Sequence, residues 1–92
     1  MPENELDSKV LEIVRHHWPI SALEIAAHLH EPAHSREQRR RLSGKYAYYL
    51  KKLVMRRQVL SKRVGHALIA WPLEAEKYRT IHSILSENPE NQ

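Results

Sequence analysis

The chain has 92 residues, 41% of them apolar, with no Phe and no Cys. That is the size of one domain with one modest core, and it excludes a disulfide framework, a thiolate metal site and a thiol nucleophile. The net charge of +4 conceals a steep segregation: the stretch from Arg36 to Arg63 sets eleven Lys and Arg against the single acid Glu37, a charge of +10, whereas residues 1–35 sum to −4 and residues 64–92 to −2.

Leu6, Val10, Leu11 and Val14, with Ile13 beside them, recur at helical spacing and predict an amphipathic helix over about 6–16, ended by the Trp18-Pro19 pair. Trp18 is expected to plug the core. Ser21-Ala22-Leu23-Glu24 has the form of a capping box, in which the serine hydroxyl accepts a backbone N–H three residues on and Glu24 returns the bond. Ile20 and Ile25 flank it as a hydrophobic staple. A short second helix should therefore run from Ala22 to about Leu29 and close before Pro32.

His30 to Ser35 carries turn chemistry and leads into the basic run Arg36-Glu37-Gln38-Arg39-Arg40-Arg41. Advancing about 100° per residue brings Leu42, Tyr46, Tyr49, Leu50 and Leu53 onto one side of a third helix. Arg40, Arg41, Gly44, Lys45, Tyr48, Lys51 and Lys52 spread over the rest. Where this helix begins stays open: Ser43 can cap it, or it can start near Ser35 and pass through Gly44 at a cost of about 1 kcal/mol.

After Arg57 the period changes to two. Val59 to Arg63 and Ala67 to Trp71 read as strands, with Gly65 and His66 as a two-residue loop and Gly65 suited to a positive φ. That register sets Val64 opposite Ala67, Lys62 opposite Ile69 and Leu60 opposite Trp71. The Leu60/Trp71 pair is expected to fix the base of the hairpin to the core. Pro72 should start a last helix over 72–86, with Glu74 and Glu76 in its first turn and an apolar stripe of Tyr78, Ile81, Ile84 and Leu85. The stripe either binds a second copy, giving a homodimer, or covers the chain's own domain. Residues 87–92 are polar and expected to be disordered.

The order of helix, short capped helix, basic helix, two-stranded hairpin and helix resembles the winged helix-turn-helix family of DNA-binding domains. Two stretches carry the likeness. Ile20 to Leu29 is similar to the first helix of that family's turn-helix pair, and Tyr46 to Leu60 to its recognition helix running into the first wing strand. With the hairpin, the resemblance covers about residues 6–71 of a single domain and implies an α+β fold: a three-helix core, a two-stranded wing and a C-terminal helix.

The resemblance further implies a small transcriptional regulator that binds double-stranded DNA with the third helix in the major groove. Gly44, Lys45, Ala47, Tyr48 and Lys51 would face base edges and phosphates, and Lys62 and Arg63 on the wing would reach a flanking phosphate or the minor groove. Apart from the resemblance, Lys52 on the cationic side of the helix is expected as a further DNA contact. The chain departs from the family in one respect. Leu29 and Leu50 lie 21 positions apart, leaving about nine more residues than the family pattern uses, and the extra residues coincide with the arginine run. They either lengthen the recognition helix or form a mobile loop. In both cases Arg36, Arg39, Arg40 and Arg41 would be phosphate contacts, which add affinity but little sequence choice.

Charge segregation of this kind is itself the footprint of a polyanion partner, since several phosphates can be neutralised together with release of counterions. Two other classes compete: an interaction adaptor on the same scaffold, whose basic segment would meet an acidic protein, and an RNA or single-strand binder that stacks bases on tyrosines. Seven histidines offer no converging set or helical i, i+4 pair, so no metal is expected. With no nucleotide-binding glycine loop and no acid pair in a plausible pocket, neither a cofactor nor catalysis is expected. The acidic, polar start lacks the pattern of a signal peptide, and no run of about 18 apolar residues could cross a bilayer. A cytoplasmic protein without a membrane partner is the expectation.

Overall fold

A computed structural model of the chain describes residues 5–78 and 85. Helix α1 (Glu5–His17) buries Asp7, Val10, Leu11 and Val14, which form a single stripe along one face. The chain passes the cis Trp18–Pro19 bond into the two-residue strand β1 (Ile20–Ser21). Helix α2 (Ala22–His28) follows with the predicted capping box complete: Glu24 N donates to Ser21 Oγ at 3.2 Å and Ser21 N to Glu24 Oε1 at 2.8 Å.

The end of α2 is a Schellman turn. His30 N donates to Ala27 O and Glu31 N to Ala26 O, which places His30 at φ 64, where a glycine is usually found. Glu31 is thereby delivered against the next helix. That helix, α3 (Arg36–Met55), is capped by Ser35, whose hydroxyl accepts from Gln38 N at 3.1 Å. It runs unbroken through Gly44 for 20 residues, so the arginine run is an N-terminal extension of the helix and not a loop. Leu42, Tyr46, Leu50 and Leu53 are its buried residues, as the spacing predicts, and Tyr49 is half-buried against the same core. A second Schellman turn ends α3, with Arg57 N donating to Val54 O and Gln58 N to Leu53 O and Arg57 at φ 60.

Strands β2 (Val59–Val64) and β3 (Ala67–Pro72) pair in the expected register, Leu60 with Trp71, Lys62 with Ile69 and Val64 with Ala67. Gly65, at φ 62, supplies the positive φ of the turn. The fold is mixed α+β: helices packed on an antiparallel sheet of three strands in the order β1-β3-β2. The core gathers Val10 and Val14 of α1, Ile25 and Ala26 of α2, Leu50 and Leu53 of α3, and Val59 and Ala70 of the sheet.

Four expectations need correction. The sheet is not a two-stranded hairpin, because extended Ile20 and Ser21 pair with Ala70 and Ile69 on the free edge of β3. Trp18 is 45% exposed; the buried position at this corner belongs to Ile20, which the pairing of β1 turns inward. Leu60 and Trp71 lie on the outer face of the hairpin, since Val59, Leu68, Ala70 and Pro72 are the buried residues and strand alternation sends their neighbours to the other side. Trp71 instead donates from Nε1 to Glu76 at 3.0 Å. Finally, Pro72 closes β3 rather than opening a helix, and helical residues resume at 75–78. Of the predicted C-terminal stripe, Tyr78 and Leu85 are exposed, while Ile81, Ile84 and the tail 87–92 lie outside the described residues. No helix among the described residues is long and apolar enough to cross a membrane.

Candidate nucleic-acid interface

The first two turns of α3 stand beyond the core. Leu42 is its first buried residue, and Arg36, Arg39, Arg40 and Arg41 before it are all exposed. Cations at a helix N-terminus oppose the backbone dipole and repel one another, each at a cost of a few tenths to about 1 kcal/mol. The fold provides these arginines with no carboxylate partner: none of the four forms an ion pair among the described residues. Among the described residues, Arg36, Arg39 and Arg40 therefore hold a local positive potential with no ion-pair partner.

The remaining cations of α3 and its C-cap Arg56 divide by helix side. On one side they meet acids. Lys45 Nζ lies 3.1 Å from Glu31, and the same carboxylate accepts the hydroxyl of Tyr46. Lys52 Nζ and Arg56 Nη1 lie 3.1 and 3.2 Å from Asp7 Oδ2, and Asp7 is 1% exposed. Hydrogen bonds from Tyr46 and Lys45 hold the Glu31 carboxyl below its ordinary value, whereas burial, reinforced by Glu31, pushes the Tyr46 hydroxyl well above its own. Two anions carried by the acidic first third of the chain thus neutralise one flank of the basic helix.

The other flank faces the hairpin across a groove of about 770 Å³, with Arg36, Arg39, Arg40 and Ser43 on one side and Val64 and His66 on the other. At 100° per residue the stripe of Arg36, Arg40 and Ser43 continues through Ala47 and Lys51. Ala47 is half-buried and Lys51 exposed, and Lys51 has no ion pair among the described residues. Lys62 and Arg63 are exposed near the hairpin tip and likewise free of ion pairs among the described residues. Arg63 shares the strand face of Val59, and Lys62 lies on the opposite one.

Between the two flanks runs an outward ridge. Gly44 is exposed, and a Cβ added to it would meet no atom within 4 Å, so no contact within the chain requires glycine there. Tyr48 is 60% exposed; one edge rests on Tyr49 with ring centroids 5.5 Å apart, and Lys52 Nζ sits 5.4 Å from its centroid. The tyrosine is part packing element, part open ring.

Of the predicted contacts, Arg36, Arg39, Arg40, Ala47 and Lys51 fall on the groove flank, Gly44 and Tyr48 on the ridge, Lys62 and Arg63 on the hairpin. Lys45 and Lys52 are turned toward Glu31 and Asp7. Arg41 is exposed on the Glu31 side, where its charge helps to hold that carboxyl low. The neutralising role of Asp7 and Glu31 was not read from the sequence, although Asp7 left a signal: it is an acid at i, i+3, i+4 and i+7 with Val10, Leu11 and Val14, on the face otherwise reserved for the core. Among the described residues no group of three or more His, Asp or Glu able to hold a metal occurs. His17 and His28 stack with centroids 4.2 Å apart. No family model matches this chain, and no curated protein or solved structure matches it significantly.

Proposed function

We propose that the chain is a winged helix-turn-helix domain that binds double-stranded DNA as a transcriptional regulator. The helix order with the short strand before α2, the sheet order β1-β3-β2 and the two-residue hairpin support the fold reading. One observation carries the functional reading: among the described residues the internal acids neutralise only one flank of α3, and Arg36, Arg39, Arg40 and Lys51 on the flank that faces the hairpin have no ion pairs, nor do Lys62 and Arg63 on the hairpin itself. A solvated surface helix gains from interspersed acids, and here the acids go to the opposite flank.

On this reading α3 lies in the major groove, with Gly44, Ala47 and Tyr48 toward base edges. The arginine extension and Lys51 take phosphates on the groove side, and the hairpin cations take the adjoining strand. Lys45 and Lys52 contribute less than their place in a basic helix implies, because Glu31 and Asp7 already hold them. The exposed apolar side chains of Leu73, Tyr78 and Leu85 at the C-terminal end suit a homodimer on two half-sites.

The test is binding of duplex DNA, single strands and structured RNA across a salt series. Duplex should bind best, with a log–log salt slope of about −4 to −5 if about five phosphates are neutralised. Charge reversal at Arg40 and Lys51 should weaken duplex binding more than reversal at Lys45 and Lys52, with reversal at Lys77 having the least effect. Equal losses at all of these positions, or preference for single strands, would overturn the assignment.

A further inference from the structure

The groove between α3 and the hairpin has a composition that phosphate contacts alone do not call for. Its floor is apolar: Ala22 and Leu68 are buried there and Leu23 is half-buried. Its wall is Arg36, Arg39 and Arg40, no carboxylate among the described residues lines it, and its volume is about 770 Å³. A bare inorganic anion would fill a small part of that space and gain nothing from the floor. Sites for small organic ligands have this size and this mixture, an apolar bed with a few convergent polar groups. Each guanidinium offers five fixed donors suited to a carboxylate, sulfonate or phosphate, and these three guanidinium groups make no ion pair or hydrogen bond among the described residues.

The geometry points to a binding site for a small organic anion, an apolar body bearing a carboxylate, sulfonate or phosphate ester, seated with its body on Ala22, Leu23 and Leu68 and its charge on Arg39 and Arg40. The same arginines serve phosphates in the proposed duplex complex, so ligand and duplex exclude each other and the ligand acts as a releasing effector. The exclusion rests on the duplex reading; the anion site does not.

The test uses the full chain and 8-anilinonaphthalene-1-sulfonate, an aromatic sulfonate whose fluorescence rises in apolar surroundings. Saturable binding at one site per chain is expected, weakened about tenfold or more by the Arg39→Ala/Arg40→Ala pair. Ala67→Glu, which sets a carboxylate at the groove, should abolish it. Arg57→Ala, outside the groove, should leave it unchanged, and circular dichroism establishes that each variant is folded. Binding that ignores the double arginine variant and Ala67→Glu would overturn the site. Duplex added to the loaded protein should release the probe in proportion to complex formed. Duplex binding without release would overturn the exclusion and leave the anion site standing. A protein that binds the probe as described but no duplex would remove the exclusion together with the duplex reading, and would leave an anion-binding domain.

Discussion

Asp7 and Lys52 meet across 45 positions of sequence, carboxylate to ammonium at 3.1 Å, and only Asp7 is buried in the pair: its side chain is 2% exposed against 28% for Lys52. The asymmetry decides which side of the interaction is costly to break. A buried carboxylate without a cation pays its full desolvation, whereas Lys52 and Arg56 can turn to water.

The double variant Lys52→Met/Arg56→Met should therefore lose about 3–5 kcal/mol in urea unfolding, and more than the two single variants added together, because either cation alone still serves Asp7. Asp7→Asn should lose less, about 1–3 kcal/mol. It should also bind duplex more tightly at low salt, since two cations are released from internal pairing. Additive single variants would mean that Asp7 is solvated in solution.

Gly44 separates stability from binding. Alanine there should raise stability by about 0.5–1 kcal/mol, because a helix-interior glycine is costly and the added methyl has open space. If the ridge lies against base edges, the same change should weaken duplex binding severalfold. A thermal melt and a binding isotherm on one preparation check both, and a variant that melts higher and binds unchanged would take the ridge away from the duplex.

The contact of Glu31 with Tyr46 gives stability a pH dependence at both ends. The Glu31 carboxyl is held below its ordinary value of 4.5, chiefly by the Tyr46 hydrogen bond and then by Lys45, so its contribution is fully present above the unfolded value and is lost as pH falls through the folded one. Tyr46 is displaced upward from 10.0 by burial and then by Glu31. The unfolded chain ionises there first, so stability declines as pH rises above about 10. Glu31→Gln should flatten the acid limb and Tyr46→Phe should remove the alkaline one. Unfolding free energies from pH 3 to 11 would read both.

His30 and Arg57 occupy left-handed conformations at φ 64 and 60, where a side chain costs about 1 kcal/mol relative to glycine. His30→Gly should stabilise the fold by up to about that amount, less the entropy glycine adds to the unfolded chain. A melting temperature lower than that of the parent would show that the His30 ring contributes packing that outweighs its backbone.

Much of this molecule was legible in the chain itself. The capping box at Ser21, the apolar side of α3 and the hairpin register around Gly65 are local: each depends on residues within a few positions, whose spacing matches one periodicity and whose polar atoms have one sensible partner. The helical course of the arginine run was not legible, because Ser35 and Ser43 are both competent caps and the choice between them lies in how α2 ends and where it delivers the chain. The pairing of Ile20 and Ser21 with β3, and the exposure of Trp18 that goes with it, also required the assembled sheet. The charge inventory was fully written in the sequence, +10 over 28 residues. Which of those charges remain available was a tertiary decision. Coulomb attraction and desolvation act through space, and only when α1 and the α2–α3 turn are folded against the basic helix do Asp7 and Glu31 claim one flank of it and leave the other open.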